Sequence, residues 1–307
     1  MKLKTKENLR FRGLCALLLL LSCCFRTAAV LTEDREKVTE QIYDSFLFFT
    51  EQTEAGPSEA ILGDPAALLF PDASTIDMDN RCGAEFDKEA LLRRPLSFTL
   101  SSQPCVLIVH THGSEAYRDS PDYRSTDPRE NMVAVGARIA ERLNAAGIPT
   151  IQDTTLHDVT MGYNDAYGQA AASIEAWLEE YPSIQMVIDV HRDAAADEAG
   201  EQRPLLTRVE GQPMAQLMLV MGTDRGDLPH ENWQENLAFA MKVQAYFRSL
   251  APGIMRQMSL RAGRYNQHLT PCSILLEVGS AGNSMEEALA SAAFVGENLA
   301  NLLLAYQ

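Results

Sequence analysis

From about residue 104, short apolar runs alternate with longer segments of helical periodicity. The runs are CVLIVH (105–110), IPTIQD (148–153), IQMVIDVH (184–191), AQLMLVMG (215–222) and SILLEVG (273–279). Helical candidates lie near 130–146, 166–181, 232–251 and 284–305. A strand that is apolar at nearly every position has no solvated face, so it belongs in a sheet covered on both sides. The pattern predicts an α/β fold: a twisted, mostly parallel sheet with helices on both faces. In open sheets of this kind, sites form beyond the carboxyl ends of the strands.

The upstream part reads differently. Residues 31–52 have the periodicity of an amphipathic helix with a Thr cap and an acidic first turn. A stretch rich in Pro, Gly and small residues follows, which gives a helix and spacer region over 31–100 ahead of one domain over 101–307. Residues 1–30 set Lys2, Lys4, Lys6, Arg10 and Arg12 before an apolar run from Gly13 to Phe25. That run is shorter than the roughly 20 residues of a membrane span and has the form of a signal peptide. A short retained anchor and a lipoprotein-type Cys23 in LLSC are the alternatives. All three export the rest of the chain.

Charge changes the picture next. Residues 1–30 hold six basic residues and one acidic one, so the remainder carries −21 against −16 for the whole chain. Such a surface repels nucleic acid and anionic lipid, and its plain reading is solubility. Cys15, Cys23 and Cys24 lie in the leader, and Cys82, Cys105 and Cys272 are widely spaced and odd in number. They make no disulfide framework, and without CxxC spacing they suit no zinc site. Cys105 and Cys272 read as small buried residues at strand starts.

Ionisable residues gather at three strand ends. The first delivers His110, His112 and Glu115; the third delivers Asp189, His191, Arg192 and Asp193; the last carries Glu277 inside an apolar strand. A lone strand-end His is ordinarily a structural residue, but three converging strands with two His sources and two glutamates weigh against that reading. Catalytic zinc takes three protein ligands from His and Asp/Glu and leaves the fourth position for water, whose pKa falls to roughly 7. One His of HTHGSE, Glu115 and His191 would supply that set. Glu277 would shuttle the proton, because a carboxylate in an apolar strand has its pKa raised toward the working range. The competing reading of Glu277 is a buried structural ion pair.

His110 and His112 point to the same side if the strand continues through both, so parity does not choose between them. The H-x-x-E spacing and Gly113, which permits a sharp bend, favour His112, with His110 as the alternative ligand. Arg192 either orients a substrate carboxylate or braces the turn after its strand. His157 reads as structural or as a rim residue, and Tyr163 and Asn164 as rim residues of the groove.

The stretches VLIVHTHGSEAY, TTLHDVTMGYNDAYGQAAASI, YPSIQMVIDVHRDA and GRYNQHLTPCSILLEVGSAGNSMEEAL, in that order, resemble the stage II sporulation protein P family over roughly residues 100–305. That family comprises exported, membrane-associated peptidoglycan hydrolases of endospore-forming bacteria. THGS and LEVGSAGN are also similar, more distantly, to the GHGG and VEVGFLSN motifs of zinc-dependent N-acetylmuramoyl-L-alanine amidases. The resemblance implies cleavage of the amide between muramic acid and L-alanine, and of peptide cross-links, during engulfment in sporulation. It implies a Zn2+ held by His112, Glu115 and His191, with Glu277 as catalytic acid/base. It also implies that Asn266 and Gln267 contact substrate or position Glu277, although His268 stands where the family has an acidic or amide residue. Peptidoglycan and membrane-associated sporulation proteins, including a lytic transglycosylase, are the implied partners, at the outer face of the cytoplasmic membrane. A zinc carboxypeptidase-like peptidase and a non-catalytic wall-binding module are the competing readings.

Overall fold

The computed structural model describes residues 72–160 and 165–307. The leader, the helix expected over 31–52, Tyr163 and Asn164 lie outside the described residues. The first half contains β1 (Met78–Asn80), α1 (Lys88–Leu92), β2 (Val106–Val109), α2 (Met132–Ala145) and β3 (Thr150–Gln152). After it come α3 (His157–Thr160), α4 (Ala166–Glu180) and β4 (Met186–Asp193). A hairpin, β5 (Leu206–Val209) and β6 (Gln212–Ala215), leads to β7 (Leu217–Met221) and α5 (Trp233–Leu250). The chain ends with β8 (Met258–Leu260), β9 (Ile274–Ser280) and α6 (Met285–Ala305).

Each apolar run of the sequence forms a strand of one seven-stranded sheet, ordered β1-β8-β7-β9-β4-β2-β3. Its pairings are parallel except for β7 against β9, which is antiparallel. The sheet is therefore two parallel blocks of opposite direction joined at β7–β9. Strands β1 and β8 have three residues each, too few to carry an alternation. Residues upstream of 101 join the same body: β1 is an edge of the sheet, and Ile76, Leu91, Leu92 and Phe98 are buried in its core.

Alternation along the strands sorts side chains onto the two faces. Val106, Ile108, Met186, Ile188 and Val190 join a core with Val135, Ile139 and Leu143 of α2 and Leu299 and Leu303 of α6. Leu107, Val109 and Val187 join a smaller cluster with Ile174 of α4. Cys105 and Cys272 are buried free thiols just before β2 and β9, as expected, and Cys82 is a half-buried one.

Helix ends follow local chemistry. Asn131 caps α2 by accepting from Val133 N. Ser284 and Glu287 form a reciprocal capping box at the start of α6, with Ser284 accepting from Glu287 N and Glu287 from Ser284 N. Among the described helices, α6 alone is long and apolar enough to cross a membrane, yet more than half of it is buried against α2 and the sheet. Its apolar character is that of a core helix.

Candidate metal centre

The ends of β2, β4 and β9 bring three donors together. His112, Glu115 and His191 are all buried and offer one ligand atom each within 4.8 Å of one another. β2 ends at Val109 and the chain turns at 111–114, which carries His112 and Glu115 inward. Glu115 N donates to His112 O across that turn. His191 belongs to β4, on the face that also bears Val187 and Asp189.

His110 goes elsewhere. As the next position after β2 it keeps the parity of Val106 and Ile108 and turns toward α2, away from the cluster. Its Nε2 accepts from the Gln152 amide at 2.8 Å, and Nδ1 lies 3.3 Å from Val190 O. These contacts fit a neutral ring protonated at Nδ1. His110 and His112 would share a side only if the strand continued through both, and it does not: β2 ends at Val109 and the chain turns at 111–114.

The role given to Gly113 also changes. It does not adopt a left-handed conformation, and a Cβ there would meet Leu156 Cδ2 at 2.8 Å. Gly113 serves close packing against Leu156.

Electrostatics bind the cluster together. His191 Nε2 lies 2.9 Å from Asp189 Oδ1, although off the line of a good hydrogen bond. Its Nδ1 is 3.6 Å from Glu115 Oε2. Thr111 fixes Asp189 through both its N–H (2.9 Å) and its hydroxyl (2.6 Å). Burial opposes charge on Asp189, but His191 and Thr111 hold its carboxyl down to about 2. Burial likewise opposes charge on Glu115, and His191, Arg192 and His112 hold its carboxyl low. Burial disfavours the His191 imidazolium, yet Asp189 and Glu115 push its pKa well up. Two ionised carboxylates thus call for positive charge between them.

Two nitrogens and one oxygen fit the donor set of a catalytic zinc. Asp189 behind His191 supplies the outer carboxylate that orients a metal-ligating imidazole.

Glu277 sits directly across the β4–β9 ladder from His191. It is half-buried, and its Oε2 is enclosed without a hydrogen-bond partner. Burial raises its carboxyl, against the pull of His191 and with a push from Glu115 and Asp193, to about 8. No cation pairs with it at salt-bridge distance in the described structure, which disfavours the structural ion-pair reading.

The other predicted residues separate. Arg192 donates from Nε to Ala116 O (3.1 Å) and from Nη2 to Tyr123 O (3.2 Å), with Nη1 3.6 Å from Glu115 Oε1. It braces the segment after β2 that bears Glu115, and not the turn after its own strand. Asp193 pairs with Arg256 at 2.6 Å.

Gln267 is buried, and its amide is engaged at both ends, accepting from Gly222 N (2.8 Å) and donating to Val220 O (2.9 Å). β7 runs antiparallel to β9, so this amide anchors the loop to the carboxyl end of β7 and faces no open space. In this structure Gln267 anchors the loop, and its amide has no free polar atom to offer a substrate. Asn266 donates to Tyr167 O at 2.8 Å, tying the same loop to α4. His157 is buried with Nε2 3.6 Å from Asp153 Oδ2, apart from the three donors, in keeping with a structural residue.

Sequence reasoning passed over the tie between Asp189 and His191, although the i, i+2 spacing in DVH already sets both on one face of a strand. It also passed over Tyr167 and Tyr265. Their rings lie 5.9 Å apart, and Tyr167 stands 5.5 Å from the His112 ring. Beside Glu115, Ser114 opens onto a cavity of about 500 Å³ lined also by Arg124, Ser125, Thr126, Asp158 and Val159.

The sequence matches the model of "Stage II sporulation protein P (SpoIIP)" over residues 50–300. It is 24% identical over 209 residues to the stage II sporulation protein P of Bacillus subtilis (strain 168), covering 63% of this chain and 49% of that protein. The chain thus spans about half the length of the curated relative it matches. A solved structure of the N-acetylmuramoyl-L-alanine amidase AmiC2 of Nostoc punctiforme aligns at 15% identity and a TM-score of 0.39, covering 65% of this chain and 97% of that one. The catalytic domain of the amidase CwlV from Bacillus (Paenibacillus) polymyxa var. colistinus aligns at 14% identity and 0.39, covering 66% and 96%. At such scores neither likeness bears on the chemistry.

Proposed function

The chain belongs to the stage II sporulation protein P family, and on that premise we propose that it is a zinc-dependent peptidoglycan hydrolase. Its bond is the amide joining the lactyl group of N-acetylmuramic acid to L-alanine, with stem-peptide cross-links as a second target, during engulfment in sporulation. One observation carries the reading: the ligand atoms of His112, Glu115 and His191 converge within 4.8 Å beside a carboxyl group of raised pKa.

His112, Glu115 and His191 would hold the zinc, which would supply an acidified water and a Lewis acid for the amide carbonyl. Asp189 holds the His191 ring, and Arg192 holds the turn that bears Glu115. Glu277 accepts the proton of the attacking water and returns it to the nitrogen of the departing L-alanine. A carboxyl pushed up to about 8 suits both halves of that transfer, since it lies near the working pH. Arg192 is taken up by carbonyls and Glu115, which argues against its gripping a free terminal carboxylate as a carboxypeptidase requires. The reading also carries an exported location at the outer face of the cytoplasmic membrane. Membrane-associated sporulation proteins, among them a lytic transglycosylase, are the expected co-workers.

Purified protein with zinc, incubated with muropeptides and followed by mass spectrometry, tests the reaction. Intact stem peptides should be released. Loss of a single terminal residue, with the muramoyl amide intact, would sink the amidase reading.

A further inference from the structure

Two successive residues in the loop before β9, Tyr265 (φ 49°) and Asn266 (φ 56°), have left-handed backbones without being glycine. That conformation is unfavourable for a bulky residue and persists only where its surroundings enforce it. The enforcement is visible. Asn266 is tied to Tyr167 O, and Gln267 to Gly222 N and Val220 O. Asn236 donates to Gln267 O at 2.7 Å and Asn232 to His268 O at 2.9 Å. Five side-chain hydrogen bonds hold one short loop in a conformation it would otherwise avoid.

What the loop presents is the Tyr265 ring. It is half-buried, edge-on to the half-buried Tyr167 ring, and Tyr167 is edge-on to His112. His112 in turn is edge-on to His191, with centroids 5.1 Å apart. An aromatic wall therefore rises directly from two of the proposed metal ligands. The cavity at Ser114, Arg124 and Asp158 has no aromatic lining and contains the Arg124–Asp158 ion pair at 2.8 Å.

We infer that Tyr265, backed by Tyr167, is a specificity-determining residue that packs against the pyranose ring of an N-acetylmuramoyl group. The inference rests on the hydrolase reading above. An amide joining sugar to peptide has two unlike flanks. The pyranose offers an uncharged, C–H-lined face suited to an aromatic ring, whereas the stem peptide, with its amides and carboxylates, does not. The wall thus fixes which way round the substrate lies. Tyr167 and the loop hydrogen bonds act as positioning elements for the Tyr265 ring.

The test uses full-length, zinc-loaded Glu277→Gln protein, so that binding is read without turnover. The probe is a peptide-free glycan of alternating N-acetylglucosamine and N-acetylmuramic acid, titrated by calorimetry. Adding Tyr265→Ala should weaken binding by about tenfold or more, and Tyr265→Phe should preserve it. Tyr265→Leu keeps bulk without a ring and should behave as Ala does, which covers the case in which Ala alone disturbs folding. Zinc content should be unchanged throughout. Equal binding by parent, Ala and Leu variants, or no binding by the parent, overturns the inference. Muropeptide cleavage by the wild type tests the hydrolase reading separately. An inactive wild type whose glycan binding depends on Tyr265 would defeat that reading and leave the wall standing.

Discussion

His110 and His112 are two residues apart and live in opposite chemical worlds. On the α2 face, His110 is fully buried among an amide, a carbonyl and the helix backbone at Gly136. Burial pushes its pKa down to about 4, so it stays neutral. On the α4 face, His112 and His191 share their surroundings with Glu115 and Asp189, and the carboxylates drive His191 the other way despite equal burial. Burial alone does not decide what a histidine does; the charge its neighbours demand does. A ring among carbonyls is a packing element, and a ring among carboxylates marks a place for a cation.

Substitutions on the two faces should separate cleanly. The largest contrast is in metal content. His191→Ala should lose near-stoichiometric zinc and, with it, turnover, whereas His110→Ala should keep both the metal and its ligands; metal analysis that finds zinc unchanged in His191→Ala refutes the ligand set. Next in size, Glu277→Gln should lower turnover by about 10²–10⁴-fold while zinc and fold are retained. Undiminished hydrolysis would remove Glu277 from the mechanism.

On the α2 face the effects should appear in stability. His110→Ala leaves the Gln152 amide and Val190 carbonyl short of a partner and opens a void, a loss of roughly 2–4 kcal/mol by denaturant titration. A stable variant that has lost its zinc would reverse the assignment of the two faces. Gly136→Ala drives a methyl to 2.4 Å from the His110 ring, which should cost about 1–3 kcal/mol. Gly113→Ala should cost the least, under about 1 kcal/mol, because the obstacle is the end of the flexible Leu156 side chain. If Gly113→Ala proved the more damaging of the two glycine changes by thermal melts, close packing would not be its main role.

Much of this was readable before any coordinates. Long buried strands such as IQMVIDVH announce themselves because both faces are apolar, and their strand-end residues inherit positions from the fold. His112, Glu115, His191 and Glu277 were legible for that reason. The reversal of β7 was not, because an apolar run buried on both faces looks the same in either direction. That reversal is what takes Gln267 away from open space and onto the end of β7. Tyr265 was hidden differently. Its importance lies in a backbone conformation and in partners from α4, α5 and β7, none of which leaves a local pattern.

β9, which carries Glu277, is the last strand in sequence and lies inside the sheet between β4 and β7. A chain emerging from its amino end can pair β2, β3 and β4 early, yet β4 keeps an open edge until residues 274–280 arrive. Contacts of such long sequence separation form late and slowly. A truncated or half-emerged chain consequently lacks Glu277 in register with His191, so the candidate centre is complete only once the last strand has been added.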